Sequence, residues 1–365
     1  RIPMPDIKAE KIEKYLETVF KKKVKLLFMR ELGKEPEAKE LKAYGYGVPI
    51  LLEIEMDGEK RSVVIESMAA GQFGHEHFSD RAQVMLWDYD TFNRLPRHAK
   101  AIGVGAFIND GGLISVGDTD EFFLLMDFIE GEGYFKDLER IKASGEITDL
   151  DIEKAKALSD YLAEVHKTKK DEPSLYIRKI RDTIGHGECI MGIADSYPEK
   201  FEFIDSRLLE KIEKKCIEWR WKIKPLTHRL SQVHGDFHPW NILFRKDIDF
   251  TVLDRARGEW GEPADDVASI TINYIFFSLQ RYGRLEGSFE RLFILFWENY
   301  LRKTDDDEIL NVVQPFYAFR GLVIASPVWY PKLEIDVRKK IFRFIEKALA
   351  SKKFDFRKVN RYIQS

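Results

Sequence analysis

The sequence predicts an α+β fold in two domains: a five-stranded antiparallel sheet with one main helix over residues 1–128, then a mostly helical domain over residues 129–365. Three observations carry this. A chain of 365 residues exceeds the usual domain of about 100–200 residues. In the first third, β-branched and aromatic runs are punctuated by glycine turns. Beyond Ile129-Glu130-Gly131-Glu132-Gly133, apolar residues recur at helical spacing.

The elements follow in order. Residues 7–20 are amphipathic and Lys-rich, an exposed helix, and residues 24–32 read as a strand. Tyr44-Gly45-Tyr46-Gly47 is a glycine turn. Residues 49–56 and 61–67 are strands joined by the Asp57-Gly58 hairpin turn. Residues 75–95 are a helix stopped by Pro96. Residues 101–108 and 121–128 form the remaining strand pair around Asn109-Asp110-Gly111-Gly112. In the second part, helices are expected at 149–167, 203–223, 265–279, 289–300, 306–316 and 337–350, with a short β run at Thr251-Val252-Leu253.

Composition narrows the function. Lys and Arg number 59 and Asp and Glu 62, a net charge of −3, which argues against bulk binding to nucleic acid or an anionic membrane. Hydrophobic residues at 44% exclude a disordered chain. The two cysteines, Cys189 and Cys216, exclude a disulfide framework and suit a reducing cytoplasm. No window approaches the roughly 18 apolar residues of a membrane span, and no signal peptide is evident at Arg1-Ile-Pro-Met-Pro. A cytoplasmic protein is expected.

One stretch carries chemistry: Val233-His234-Gly235-Asp236-Phe237-His238-Pro239-Trp240-Asn241-Ile242-Leu243-Phe244, followed by Asp254 just after the β run. An Asp, an Asn five residues on and a second Asp suit phosphoryl transfer from a magnesium nucleotide, where positioning and charge matter more than covalent chemistry. Magnesium takes oxygen ligands, so Asn241 and Asp254 are its candidates. Asp236 is the candidate to orient the acceptor hydroxyl and take its proton. His238 adds a donor beside the transferring phosphate.

The spacing His-x-Asp-x-x-x-x-Asn resembles the catalytic loop of protein kinases, and Gly235 with His238-Pro239 is more similar to the aminoglycoside phosphotransferase and choline kinase family. Leu162-Ala163-Glu164-Val165-His166 resembles that family's helix end before the loop. Gly261-Glu262-Pro263-Ala264-Asp265-Asp266-Val267-Ala268 resembles its segment after the metal Asp, and residues 122–131 its last N-lobe strand and hinge. The resemblance spans residues 20–330. It implies a two-lobed protein-kinase-like fold and ATP-dependent transfer to a hydroxyl of an aminoglycoside-, choline- or sugar-like molecule. It also implies nucleotide contacts from Gly45, Gly47, Arg81, Asp127 and Ile129. His234, His166 and Asp266 are expected to be structural.

Departures leave alternatives open. Where the family places a Lys on the third strand, Arg61-Ser62-Val63-Val64-Ile65-Glu66-Ser67 offers Glu66. A swapped Glu66–Arg81 pair, a register slip that brings in Lys60 or Arg61, or a nucleotide-binding chain without catalysis would each account for it. Tyr44-Gly45-Tyr46-Gly47 is either a phosphate cradle or a plain turn. Arg255 and Arg257 are candidates to touch phosphate or acceptor. His75-Glu76-His77 with His234 and His238 suggests a metal-dependent phosphoesterase as a further alternative. Asp305 to Glu308 would favour a cationic acceptor if they lined its pocket. The turn Ile184-Gly185-His186-Gly187-Glu188 and the tryptophans 260, 297 and 329 are candidates to reach the acceptor.

Overall fold

A computed structural model of the protein describes residues 8–32, 47 and 49–364. The chain divides into two compact units, Arg1–Met126 and Asp127–Ser365.

In the first unit, helix α1 (Ala9–Phe20) buries Ile12 and Leu16, one turn apart on one face. Strands β1 (Lys25–Glu31), β2 (Ile50–Met56) and β3 (Glu59–Ile65) form an antiparallel sheet with β2 in the centre. The Asp57-Gly58 turn closes β2 onto β3, and both residues have positive φ (52° and 84°), as a two-residue hairpin with matching twist requires. Ile50, Leu52 and Ile54 alternate into the core with Val63. Helix α2 (Phe78–Thr91) follows and gives way to a 3-10 turn, Phe92–Arg94, ahead of Pro96.

The five-stranded sheet is a correction. Strand β4 (Gly105–Phe107) pairs with β5 (Leu113–Ser115) in a separate hairpin, and residues 121–128 form no ladder. The turn residues explain this: Ile108 N donates to Gly112 O at 2.9 Å and Gly112 N to Asp110 Oδ1 at 2.8 Å, so the chain reverses at once. A short local closure costs less entropy than a distant one. The run Phe122-Phe123-Leu124-Leu125-Met126 also lacks the alternation of a half-buried strand.

The second unit opens with β6 (Glu132–Gly133), α3 (Tyr134–Ser144), α4 (Asp149–His166), α5 (Pro173–Gly185) and α6 (Ile190–Asp195). A small hairpin, β7 (Lys200–Phe201) and β8 (Ile204–Asp205), leads to α7 (Ser206–Ile223). Then come β9 (Ser231–Gln232), a 3-10 turn at Pro239–Asn241, β10 (Ile242–Phe244), β11 (Phe250–Val252) and β12 (Trp260–Gly261). The strands pair as β11-β10-β6 and β12-β9. Helices α8 (Pro263–Tyr282), α9 (Gly287–Thr304), α10 (Gln314–Ala325), α11 (Ile335–Ala350) and α12 (Asn360–Ile363) complete it.

The expected helix at 306–316 is a second correction. A 3-10 turn, Asp307–Asn311, ends there and α10 starts afresh at Gln314, because Pro315 belongs in a helix's first turn and not its interior. Helix α8 is buried from Pro263 to Leu279 on all sides. A helix so enclosed must find a partner for each polar group it carries.

Candidate active site

The site is built on a strained loop. Gly235 has φ +84°, and a Cβ there would lie 2.3 Å from Ala256 O, so only glycine fits. The backbone nitrogens of His234 and Gly235 donate to Asp266 Oδ2 (2.8 Å) and Oδ1 (2.7 Å). Asp266, in the first turn of α8, also meets His166 Nε2 at 3.0 Å, while His166 Nδ1 meets the Tyr300 hydroxyl at 2.8 Å. Burial would raise the Asp266 pKa, but the hydrogen bond and charge of His166 and the His234 amide outweigh it and hold it below the usual carboxylate value. The His234 pKa is lowered too, here by burial itself, and its Nδ1 accepts from Asp236 N at 3.2 Å. Both histidines and Asp266 are therefore the loop's brace.

Asp236 follows the glycine. Its Oδ1 accepts from Arg320 Nη1 at 2.6 Å. Its Oδ2 receives Asn241 Nδ2 at 3.2 Å and stands 3.3 Å from His238 Nε2. His238 Nδ1 accepts from Trp240 N at 3.2 Å, so the ring proton is on Nε2 and points to Asp236. Burial would raise the Asp236 pKa; the His238 hydrogen bond and the Arg320 charge overcome it and hold the carboxyl far below its ordinary range. Asp236 is an anion at any physiological pH.

Arg320 was invisible to motif reasoning. It lies on α10 and is almost wholly buried; besides Asp236 it bonds Asp265 Oδ1 at 2.6 Å and Gly235 O at 2.8 Å. The available signal was a single cation inside the apolar run Phe316-Tyr317-Ala318-Phe319-Arg320-Gly321-Leu322-Val323-Ile324. A buried cation demands partners, and here they are the Gly235-Asp236 loop and the head of α8.

Asp254 has φ +56° and is exposed, and its carboxylate takes no hydrogen bond from any described residue. Leu253 N donates to Asn241 O at 2.8 Å, which ties the end of β11 to the loop. Asn241 commits its Nδ2 to Asp236 O (3.0 Å) and Oδ2, leaving its amide oxygen for a cation. A carboxylate and an amide oxygen are the hard donors magnesium prefers, so the residues fit that ion. No group of three or more His, Cys, Asp or Glu that could hold a metal occurs among the described residues, so the phosphoesterase cluster does not assemble there.

Asp236, His238 and Asp254 line one cavity of about 760 Å³, with Arg255, Arg257 and Arg320 also in its walls. Glu188, Trp329 and Tyr330 lie at its edge as well, so the 184–188 turn reaches it. Asn241 does not line it. Trp297 is instead in the core, and Trp260 packs against the core. Arg255 is spent on Val233 O (2.9 Å) and Glu259 O (3.1 Å), and Arg257 on Gly235 O and on Asp265 Oδ2 at 3.1 Å. Of the acidic run, Asp306 and Glu308 bind Arg229 at 2.7 and 3.2 Å.

The first-unit candidates fare differently. Gly45 lies outside the described residues. Gly47 passes so close to Ser67 that a Cβ would stand 1.9 Å from its carbonyl oxygen. Arg81 donates to the carbonyls of His75 (2.8 Å) and Glu76 (3.2 Å), not to Glu66. Glu66 is exposed just past β3 and forms no ion pair among the described residues, which corrects the swapped-pair expectation. Alternation on β3 persists nonetheless, with Val63 inward and Val64 outward. Asp127 and Ile129 precede β6 outside any ladder.

Residues 108–292 match the profile of the Phosphotransferase enzyme family, and the chain belongs to that family. No match among the curated proteins was found. Solved structures similar to the chain include an ethanolamine kinase of Plasmodium vivax, 14% identical, covering 92% of this chain and 80% of that one at a TM-score of 0.36. A choline kinase of Streptococcus pneumoniae is 12% identical, with 93% and 98% covered and a TM-score of 0.35. Amicoumacin kinase, in complex with AMP-PNP, Ca2+ and Ami, is 14% identical, with 88% and 92% covered and a TM-score of 0.42.

Proposed function

We propose that the chain moves the γ-phosphate of ATP to a hydroxyl of a small molecule, in a two-lobed protein-kinase-like arrangement. The observation that carries this is the anionic Asp236, clamped by Arg320, Asn241 and His238 and opening onto a cavity shared with Asp254. Its fixed carboxylate orients the acceptor O–H. As the acceptor oxygen bonds to the γ-phosphorus and the bond to the β-phosphate oxygen breaks, the proton passes to Asp236 and then to water. A carboxylate of such low basicity suits a loose transition state, where orientation matters more than early proton removal. The His238 Nε2–H is turned to Asp236 and, in place of the expected donor to the transferred group, helps hold the carboxylate toward the acceptor. Asn241 and Asp254 would hold magnesium, whose charge offsets that of the phosphates. Gly45 and Gly47 are assigned to the phosphates, and Asp127 and Ile129 to the nucleotide base. The free, buried Cys189 and Cys216 suit a reducing cytoplasm.

The exposed, unpaired Glu66 favours a second reading, nucleotide binding without transfer. One experiment separates them: ATP consumption over a panel of small hydroxyl compounds, with nucleotide binding measured in parallel. Asp236→Asn is expected to abolish transfer and leave ATP affinity within about two-fold, since the base acts on the acceptor side. Binding without turnover in the native chain would establish the second reading, and full turnover in Asp236→Asn would remove Asp236 as the base.

A further inference from the structure

We propose that Arg257 determines the specificity of the cavity, and that its guanidinium takes a carboxylate of the acceptor, which is therefore a hydroxy acid; this rests on the phosphotransfer reading above. Arg257 stands in the wall of the cavity that holds Asp236 and Asp254. Its backbone is left-handed at φ +54°. Its Nη2 donates to Gly235 O and, at 3.1 Å, to Asp265 Oδ2, and the Phe319 ring centre lies 5.6 Å from the guanidinium carbon. These contacts fix the plane of the group and leave Nη1 with no hydrogen bond among the described residues. Nη1 is not an enclosed atom, and the side chain is 15% exposed at the cavity wall. A guanidinium held in place presents fixed charged donors, and a carboxylate is the group whose geometry matches them.

The sign of the ligand follows from which charge is fixed. Glu188 Oε2 stands 4.0 Å from Arg257 Nη1, so a carboxylate already fits beside that nitrogen, at more than hydrogen-bond distance. The Glu188 side chain is 69% exposed, and an ion pair so exposed is weak. Glu188 can therefore turn into water as another carboxylate arrives. Arg257 cannot turn away, because Gly235 O and Asp265 hold it. An ammonium group drawn to Glu188 would stand beside that fixed guanidinium and be repelled, whereas a carboxylate is attracted. The other carboxylates of the wall are engaged: Asp236 by Arg320 and His238, and Asp254 by its assignment to magnesium. Arg255 adds a further cation to the wall, and the acidic run 305–308 is not part of it.

The test titrates the purified full chain, by calorimetry and without nucleotide, with matched sets that differ in charge: glycerol, glycerate and aminopropanediol, then sorbitol, gluconate and glucamine. ATP affinity and ATP-dependent phosphorylation of the same compounds are followed separately. At least one carboxylate is expected to bind more tightly than both of its counterparts. Arg257→Gln should weaken it at least about ten-fold, the worth of one charge-assisted hydrogen bond, and Arg257→Lys should keep the preference for carboxylates. Glu188→Gln, at an exposed position, removes a like charge and should tighten the same carboxylate about three-fold; it serves if the Arg257 variants fold poorly. Weaker carboxylate binding in Glu188→Gln, tighter binding of the amines, no binding of any carboxylate, or no change in either variant would overturn the proposal. So would an Arg257→Gln that loses ATP affinity and keeps the carboxylate, since the anion at Arg257 would then be a nucleotide phosphate. Carboxylate binding that depends on Arg257 without phosphorylation would sustain the proposal and remove the phosphotransfer reading. Phosphorylation of neutral compounds or amines alone would do the reverse.

Discussion

Arg320 sets the chemistry of Asp236 without belonging to any motif. The loop residues were legible because their order along the chain fixes their geometry. Arg320 was not, because it lies 84 residues from Asp236 and is brought there only by the packing of α10 against α8. Glu66 shows the converse: β3 alternates as read, yet the partner proposed for Glu66 went to local carbonyls, which Arg81 reaches within its own helix entry. The depressed pKa of Asp236 gives a signed prediction. In the native chain the acid limb of kcat/KM should not come from Asp236, which stays ionised below the ordinary carboxylate value of about 4. In Arg320→Met the guanidinium's share of the lowering is gone, the His238 hydrogen bond stays and burial still raises the pKa, so activity should fail at a higher pH than in the native chain. The substitution also breaks a buried pair, at about 3–5 kcal/mol, so the position of the limb, not the rate alone, is the measurement. An unmoved limb would dissociate Arg320 from the protonation of Asp236.

Elements were legible where closure is local. The Asp57-Gly58 hairpin and α4 formed where the pattern placed them, with Thr148 and Asp151 as reciprocal caps of α4. The fifth strand and the helix at 306–316 failed because a nearer turn and Pro315 intervened. Asp266 ties three elements: α8, the end of α4 through His166, and the His234-Gly235 loop. Its pKa is lowered in the folded state, so its stabilisation is complete above the unfolded value of about 3.9 and is lost as pH falls through the folded value. Asp266→Asn should destabilise the chain near neutrality by about 3–5 kcal/mol and flatten the loss of stability below about pH 4, read from denaturant midpoints across pH. Parallel pH curves for both proteins would contradict the brace.

At the scale of the molecule there are two cores: one from Ile12 to Val63 with Phe107 and Leu113 against it, the other from Tyr134 to Ile363. Each unit thus carries its own apolar interior, and calorimetry should show two unfolding transitions. A single cooperative peak in the ligand-free protein would contradict it. Along the sequence, strand patterning gives way to helix patterning near residue 129, since each periodicity reports the face it buries. What sequence could not give is α8 as a shared axis. Its first turn anchors the 233–241 loop through Asp265 and Asp266, and about 10 Å further along the same rod Asn273 lines the cavity. Substitutions at Ser269, Ile272 or Asn273 would therefore reshape the cavity wall while the two aspartates keep the 233–241 loop in register.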